Sequence, residues 1–323
     1  MRVTLEDVAE KAGVSAATVS ICLNHHPVSK KIPEATKQRI AQVVAELGYR
    51  PSSFARALCM GYSNLIGIDI QEISNSYYAH LAGNVIDEAA QYGLNVIVTQ
   101  GNSRSKRNGW SGDMLDGMIY CSPSPRGTLG TKPCVLIDTE RTGFNCVLHD
   151  IGSAMADAAL LMKERGHSRV CGVFGFARSK ADRFMQEFRK AGLTPELSAL
   201  STSSREERLE TVVQILRERP SALVINGHLT TRDLLRKLAV SRGSYHPDVI
   251  SVCGFWNGEL AGPHLLGAAV TDVRSLAAAA VKILAENIRS RHAAAPRIEL
   301  IPARFYRSSD FQSIPFTDPE NEY

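Results

Sequence analysis

From residue 65 to about residue 309, short apolar runs alternate with amphipathic stretches, and that rhythm restricts the fold more than any other feature of the chain. The apolar runs cover 65–70, 94–99, 118–121, 134–138, 170–175, 222–226, 249–254 and 267–271. Helical patterns fall between or after them, over 77–92, 152–165, 180–191, 204–218, 230–241 and, rich in alanine, 274–289. Strands separated by helices run parallel, because a same-sense return requires a crossover. The expectation is therefore an α/β protein with two parallel-sheet lobes.

The same stretch argues against most chemistry. No GxGxxG or GxxxxGK[ST] follows any of the apolar runs, no GxSxG elbow is present, and the nine histidines are dispersed. No cofactor, metal ion or catalytic residue is expected, and the chain does not read as an enzyme. Its seven cysteines show no CxxC or Cys/His ligand spacing and read as reduced, small hydrophobes. No segment reaches the ~18 uninterrupted apolar residues of a membrane span, and the opening MRVTLEDVAEKAG has no apolar targeting core. A cytoplasmic protein is expected.

The first sixty residues have a different logic. Thr4 stands three residues before Asp7, a capping-box spacing, and the helix it opens would bury Leu5, Val8 and Ala9. Gly13 supplies a turn. Ser15 can then cap a second helix with Val19, Cys22 and Leu23 facing inward and Ala16, Ala17, Ser20, Ile21 and Asn24 facing outward. Two short helices joined by such a turn make a helix-turn-helix. Small outward residues would let the second helix lie deep in a major groove, and the hydroxyls of Ser15, Thr18 and Ser20 could meet phosphates. The bland alternative is a helical hairpin with a solvated face. Pro33 and Glu34 open a third helix striped by Ile40, Val43, Val44 and Leu47 and ended by Gly48. Residues 1–61 hold eight Lys and Arg against five Asp and Glu, so most of the net +4 lies in the first fifth of the chain, as suits a polyanion partner.

Taken in order, Leu5-Glu6-Asp7-Val8-Ala9, Ala12-Gly13-Val14-Ser15, Thr18-Val19-Ser20, Leu23-Asn24, Leu47-Gly48-Tyr49-Arg50-Pro51 and Ala55-Arg56-Ala57-Leu58 closely resemble the lactose-repressor (LacI) family of bacterial regulators. The resemblance continues more weakly to about Ser309 through Glu72 to Tyr78, Leu115 to Ile119, Arg165 to Val170 and Asp248 to Phe255. It implies a homodimer in which the second helix reads the major groove of a pseudo-palindromic double-stranded DNA operator. A hinge helix would enter the minor groove with Leu58 as its wedge and Arg56 beside the backbone. The implied DNA-binding set is Thr4, Ser15, Ala16, Ala17, Thr18, Ser20, Ile21, Asn24, Tyr49, Arg56 and Leu58. The implied organisation is a helix-turn-helix domain over 1–51 and a hinge over 52–62. A periplasmic-binding-protein-like effector domain follows over 63–309, with one lobe near 63–149 and 274–303 and the other near 150–272 and 304–309. An acidic tail over 310–323 closes the chain.

By the same resemblance a small effector, a sugar or sugar derivative, would lie between the lobes near Ser74, Asn75, Tyr77, Asp150, Arg183, Asn226, Trp256 and Asn257. Each residue also has a plain reading: Ser74, Asn75 and Asp150 as helix caps, Arg183 as a solvated charge. Two departures from the family pattern bear on specificity. Ala16, Ala17 and Ile21 replace longer base-reading side chains, which shifts weight to methyl contacts and DNA bending. Gly227, Trp256 and Asn257 replace acidic cleft residues, and Trp256 could stack on a ligand or fill its pocket. A ligand-independent regulator with a closed cleft stays open beside the effector-responsive one; a solute-binding sensor, for which residues 1–61 supply a DNA-binding unit in place of a secretion signal, and an α/β enzyme, for which no nucleophile or metal motif is present, are the less favoured alternatives.

Overall fold

The computed structural model describes residues 3–23, 27–50, 61–100, 114–121, 132–175, 177–198, 205–240, 245–254, 256, 258, 260, 262–290 and 295–314. The chain divides into two compact units, Met1–Asn64 and Leu65–Tyr323.

In the first unit, α1 (Leu5–Ala12) and α2 (Ala16–Leu23) are joined through Gly13, whose φ of 63° is the left-handed geometry that glycine adopts without strain. A 3-10 turn, Pro27–Lys31, leads to α3 (Glu34–Leu47), which ends on Gly48 at φ 61°. Val8, Ala9, Ala12, Val19, Ile40 and Val43 form the core, with Leu5, Cys22, Leu23, Val44 and Leu47 packed around it. So few buried side chains leave little margin, and the caps described below matter correspondingly.

The second unit is two-lobed. Lobe 1 carries β1 (Leu65–Ile70), α4 (Ser76–Gln91), β2 (Asn95–Gln100), β3 (Gly117–Cys121), β4 (Cys134–Ile137) and β5 (Asn145–Asp150). Lobe 2 follows with α5 (Gly152–Glu164), β6 (Arg169–Val173), α6 (Arg178–Lys190), β7 (Thr194–Leu197), α7 (Arg205–Glu218), β8 (Ala222–Asn226), α8 (His228–Val240), β9 (Asp248–Cys253) and β10 (Leu265–Thr271). The chain then returns to lobe 1 as α9 (Val273–Arg289) and ends in a ten-residue strand, β11 (Ile298–Arg307), and a 3-10 turn, Ser308–Ser313.

Strand order is β2-β1-β3-β4-β5-β11-β10-β9-β8-β6-β7. Residues 298–302 of β11 run parallel to β5, and residues 303–307 run antiparallel to β10. One strand therefore belongs to both lobes. The two parallel-sheet lobes expected from the sequence are present, and one antiparallel pair joins them: β10–β11, because β11 enters lobe 2 from lobe 1 in the sense set by β5. Pro302, without an N–H to donate, stands where the strand passes from one partner to the other. Three strands escape the periodicity reading altogether, namely β5, β7 and β11.

Lobe 1 packs α4 and α9 on one sheet face, where the alanines at 277, 279, 280 and 285 let the helix approach closely. Lobe 2 is covered on both faces, by α5 and α6 over one core and by α7 and α8 over the other. Phe184 and Phe188 fill the first of these, their ring centroids 4.5 Å apart. At the N-terminal strand ends of lobe 2, Arg165 and His167 both bond Asp248, at 3.0 and 2.9 Å, and Ser221 Oγ lies 3.4 Å from His167 Nδ1. This brace ties the end of α5 to β9.

Truncation of the fully buried Phe184 leaves a cavity that the surrounding sheet and helices cannot collapse into. Phe184→Ala is expected to destabilise the second unit by about 3–5 kcal/mol in urea unfolding.

Candidate nucleic-acid interface and inter-lobe cleft

The helix-turn-helix is fixed by its caps. Thr4 Oγ1 accepts the Asp7 amide at 3.3 Å, while the Asp7 carboxylate accepts the Thr4 amide at 2.8 Å, a reciprocal box. That hydrogen bonding holds the Asp7 carboxyl below its ordinary pKa. Ser15 Oγ accepts the Thr18 amide at 3.2 Å and shares a 2.8 Å hydroxyl contact with Thr18 Oγ1. Both hydroxyls thus serve first as the start of α2. At the far end of α3, the Tyr49 amide donates to Val44 O at 3.0 Å and the Tyr49 ring packs on the core.

Along α2, Ala17 is exposed, and Ser20 and Ile21 are half-buried. Ala16 departs from the outward position expected of it. It shares the stripe of Val19 and Leu23, three and seven residues on, and packs on the core. Asn24, Arg56 and Leu58 lie outside the described residues. The exposed surface of α2 is small and apolar or hydroxylated, with no long side chain to hold it away from a groove floor. Lys30 and Lys31 are exposed on the 3-10 turn that follows.

In the second unit, the C-terminal ends of the parallel strands of both lobes face a common cleft, the usual place for a ligand in such sheets. Most of the sequence-predicted cleft residues have structural partners there. Ser74 Oγ donates to Glu72 Oε1 at 2.6 Å, and Asn75 Oδ1 accepts the Tyr77 amide at 3.1 Å as the cap of α4. Asp150 Oδ1 accepts the Gly152 amide at 3.0 Å and starts α5. Arg183, on the exposed side of α6, donates to Gln186 Oε1 at 3.2 Å. It also passes beside Asp150, since a methyl added at Gly152 would sit 3.2 Å from Asp150 Oδ1 and 3.4 Å from Arg183 Nε. Asn226 is half-buried at the end of β8. Trp256 is only 3% exposed and lies against Phe311, centroids 4.3 Å apart, within the core of lobe 2. Its ring fills volume in that core. Asn257 lies outside the described residues.

Between the lobes the structure assembles a group that no motif announced. Lys180, in the first turn of α6 on lobe 2, donates to Asp138 Oδ2 at 2.8 Å, and Asp138 follows β4 on lobe 1. His149 Nε2, on β5, is 3.5 Å from the same carboxylate oxygen and 3.2 Å from the Tyr77 hydroxyl. The Tyr77 ring lies against Gly254, just past β9 in lobe 2, where an added methyl would collide with it. A glycine is thus required at 254 for this approach of the two lobes. The signal that could have found the group was positional: an acid directly after one strand and a lysine at the start of the helix after another both point toward the cleft.

Burial pushes His149 down from 6.5 to about 4, against the pull of Asp138 and with the help of Lys180. Its side chain is 2% exposed, so the imidazole is neutral at pH 7 and the contact with Asp138 is not an ion pair there. Burial alone would raise the Asp138 carboxyl, but the charges of His149 and Lys180 and the Lys180 hydrogen bond hold it below its ordinary value. Tyr77, buried among Cys121, Asp138 and Tyr78, is raised well above the phenolic range and stays neutral.

Residues 4–52 match the family described as "Bacterial regulatory proteins, lacI family". Catabolite control protein A of Priestia megaterium is 26% identical over 283 residues, covering 80% of this chain and 84% of that protein. Over residues 4–52 the chain is similar to the LacI family of bacterial regulatory proteins. Solved structures share its fold. The lac repressor dimer bound to operator and the anti-inducer ONPF superposes with a TM-score of 0.75 at 20% identity, over 95% of this chain and 98% of that one. The transcriptional regulator CelR in complex with cellobiose gives 0.59 at 16% identity, over 95% and 100%. Other relatives that it matches along nearly their whole length, at 25–26% identity, are HTH-type transcriptional regulators, DegA of Bacillus subtilis and PurR of Edwardsiella ictaluri.

Ser15→Ala removes the cap of α2 and is expected to cost about 1 kcal/mol of stability in the first unit, read from its thermal unfolding. A histidine whose folded pKa is depressed leaves the unfolded chain binding more protons between about pH 4 and 6.5. The stability that His149 contributes in neutral form is therefore complete above 6.5 and lost as pH falls toward 4. His149→Gln should flatten that part of the urea-midpoint profile; an unchanged slope would show that another group produces it.

Proposed function

We propose that this protein is a homodimeric, sequence-specific repressor that grips a pseudo-palindromic operator with two copies of α2 and two hinge segments, working in the cytoplasm at the nucleoid. The observation that carries the reading is the capped helix-turn-helix whose second helix offers Ala17, Ser20 and Ile21. With little hydrogen-bonding capacity to address base edges, methyl contacts to thymine and deformation of the duplex carry the specificity. Thr4, Ser15, Thr18, Tyr49 and Arg56 serve the backbone, and Leu58 is the minor-groove wedge.

Dimer formation is supported by an apolar groove of about 450 Å³ on lobe 1, between α4 and the edge strand β2. Ile73, Ile86 and Val98 are 51%, 45% and 38% exposed there, apolar side chains beside an unpaired strand edge that a second chain would cover. A second copy of this chain is the occupant proposed. Holding two reading heads together makes the second contact intramolecular and multiplies affinity.

The effector proposed is a small hydroxylated molecule, a sugar or sugar derivative, received between the lobes near Ser74, Asn75, Tyr77, Asp150, Arg183, Asn226 and Asn257. Its unequal affinity for the DNA-competent and incompetent arrangements would shift their populations. A second reading, regulation without an external ligand, is favoured by Trp256 filling its own lobe and by the Lys180–Asp138 contact across the cleft.

Leu58→Ala should weaken operator binding by about tenfold to a hundredfold while leaving the unfolding of the second unit unchanged; equal affinity for operator and bulk DNA fragments in both proteins would reject the wedge. Ile86→Asp should convert the dimer to a monomer in sedimentation and lower operator affinity with it, whereas a stable Ile86→Asp dimer would move the interface elsewhere.

A further inference from the structure

We infer that Lys180 is a built-in closing ligand, a tethered primary ammonium from lobe 2 that occupies an acceptor pocket on lobe 1 and latches the cleft shut. A lysine that is 7% exposed has given up most of its hydration, which is tolerable only against a close counter-charge. That charge is the Asp138 carboxylate, 2.8 Å away and on the other lobe. Asp138 sits at φ 61°, a left-handed backbone that a β-carbon resists, so the turn after β4 holds its carboxylate at some conformational cost.

The rest of the pocket suits an ammonium and little else. His149 is kept neutral by burial and Tyr77 stays protonated, so neither competes for the carboxylate with a charge of its own. Cys121 stands beside Tyr77, its thiol also kept neutral by burial. Asp69, bonded by Thr99 Oγ1 at 2.9 Å, lies near enough to act on Cys121 and adds negative potential on the lobe 1 side. From lobe 2, the Cys253 thiol, kept protonated by burial and hydrogen-bonded with Ser251, lies near enough to feel the charge of Lys180. Lys180 thus brings a cation from lobe 2 against the carboxylates of Asp138 and Asp69 on lobe 1, while Arg183, farther along α6, lies beside Asp150.

An open cleft would return Lys180 and Asp138 to water, so the contact exists only in the closed arrangement and biases the lobes toward it. An external molecule that bridges the lobes has to displace this side chain. The class of small molecule that fits the vacated pocket is a primary alkylammonium.

The test uses the full-length protein and hydrogen exchange of the backbone amides at 136–138, 147–150 and 177–184. Lys180→Met, which keeps length and apolar volume but not charge, and Asp138→Asn should each accelerate exchange at these amides by about tenfold or more. Exchange in α1–α3 should not change. In Lys180→Ala, n-propylammonium supplies the deleted atoms and should restore slow exchange, whereas propanol should not. The double variant Lys180→Met with Asp138→Asn should open no further than either single variant. Wild-type exchange in Lys180→Met, equal rescue by propanol, or additive effects in the double variant would each overturn the latch. Operator binding is not the readout, so a failure of the repressor reading and a failure of the latch are distinguishable.

Discussion

The backbone hydrogen bonds of β11 are the constraint on which the two-lobed unit depends. Five residues of this strand complete the sheet of lobe 1 against β5, and the next five complete that of lobe 2 against β10. Because a buried ladder group left unpaired is costly, neither half can be withdrawn without exposing the neighbouring strand. The lobes are thus joined by continuous sheet as well as by two other crossings, after Asp150 and at Asp272. Motion between them has to be accommodated within these three connections, near Pro302 on β11.

Against that stiff seam, the contacts across the cleft mouth are few and specific. Tyr77 lies on the bare backbone of Gly254, and Lys180 reaches Asp138. Tyr77 also packs on the core of lobe 1, whereas Phe184, Phe188 and the Trp256–Phe311 pair lie within lobe 2. The division of labour is physical: apolar packing makes each lobe rigid, and a small number of polar contacts determine how two rigid bodies meet.

Much of the fold was legible because periodicity reports burial. The runs at 65–70, 222–226 and 249–254 are strands with both faces covered, and their unbroken apolar character says so. β5 was missed because Asn145, His149 and Asp150 dilute its apolar centre, β7 because it is a four-residue edge strand containing Pro195, and β11 because Pro302 interrupts an alternating pattern. The helix-turn-helix could be read almost residue by residue, since capping and glycine turns are local signals. Ala16 was misplaced because an alanine gives no sign of which way it faces. The inter-lobe cluster was invisible for the opposite reason: Asp138 and Lys180 are forty-two residues apart, and only the tertiary fold makes them neighbours.

The interleaved order of the lobes also bears on synthesis. Lobe 1 begins at β1 but needs α9 and the first half of β11, which follow all of lobe 2 in the chain. On a ribosome the small three-helix unit can fold as soon as it emerges, whereas β1 to β5 must wait with one sheet edge and one helix-binding face bare until some hundred and twenty further residues have been made. The exposed interval is spent near a domain that is itself assembling, so the safe passage of this chain depends on lobe 2 closing before the unfinished half of lobe 1 finds another strand to pair with.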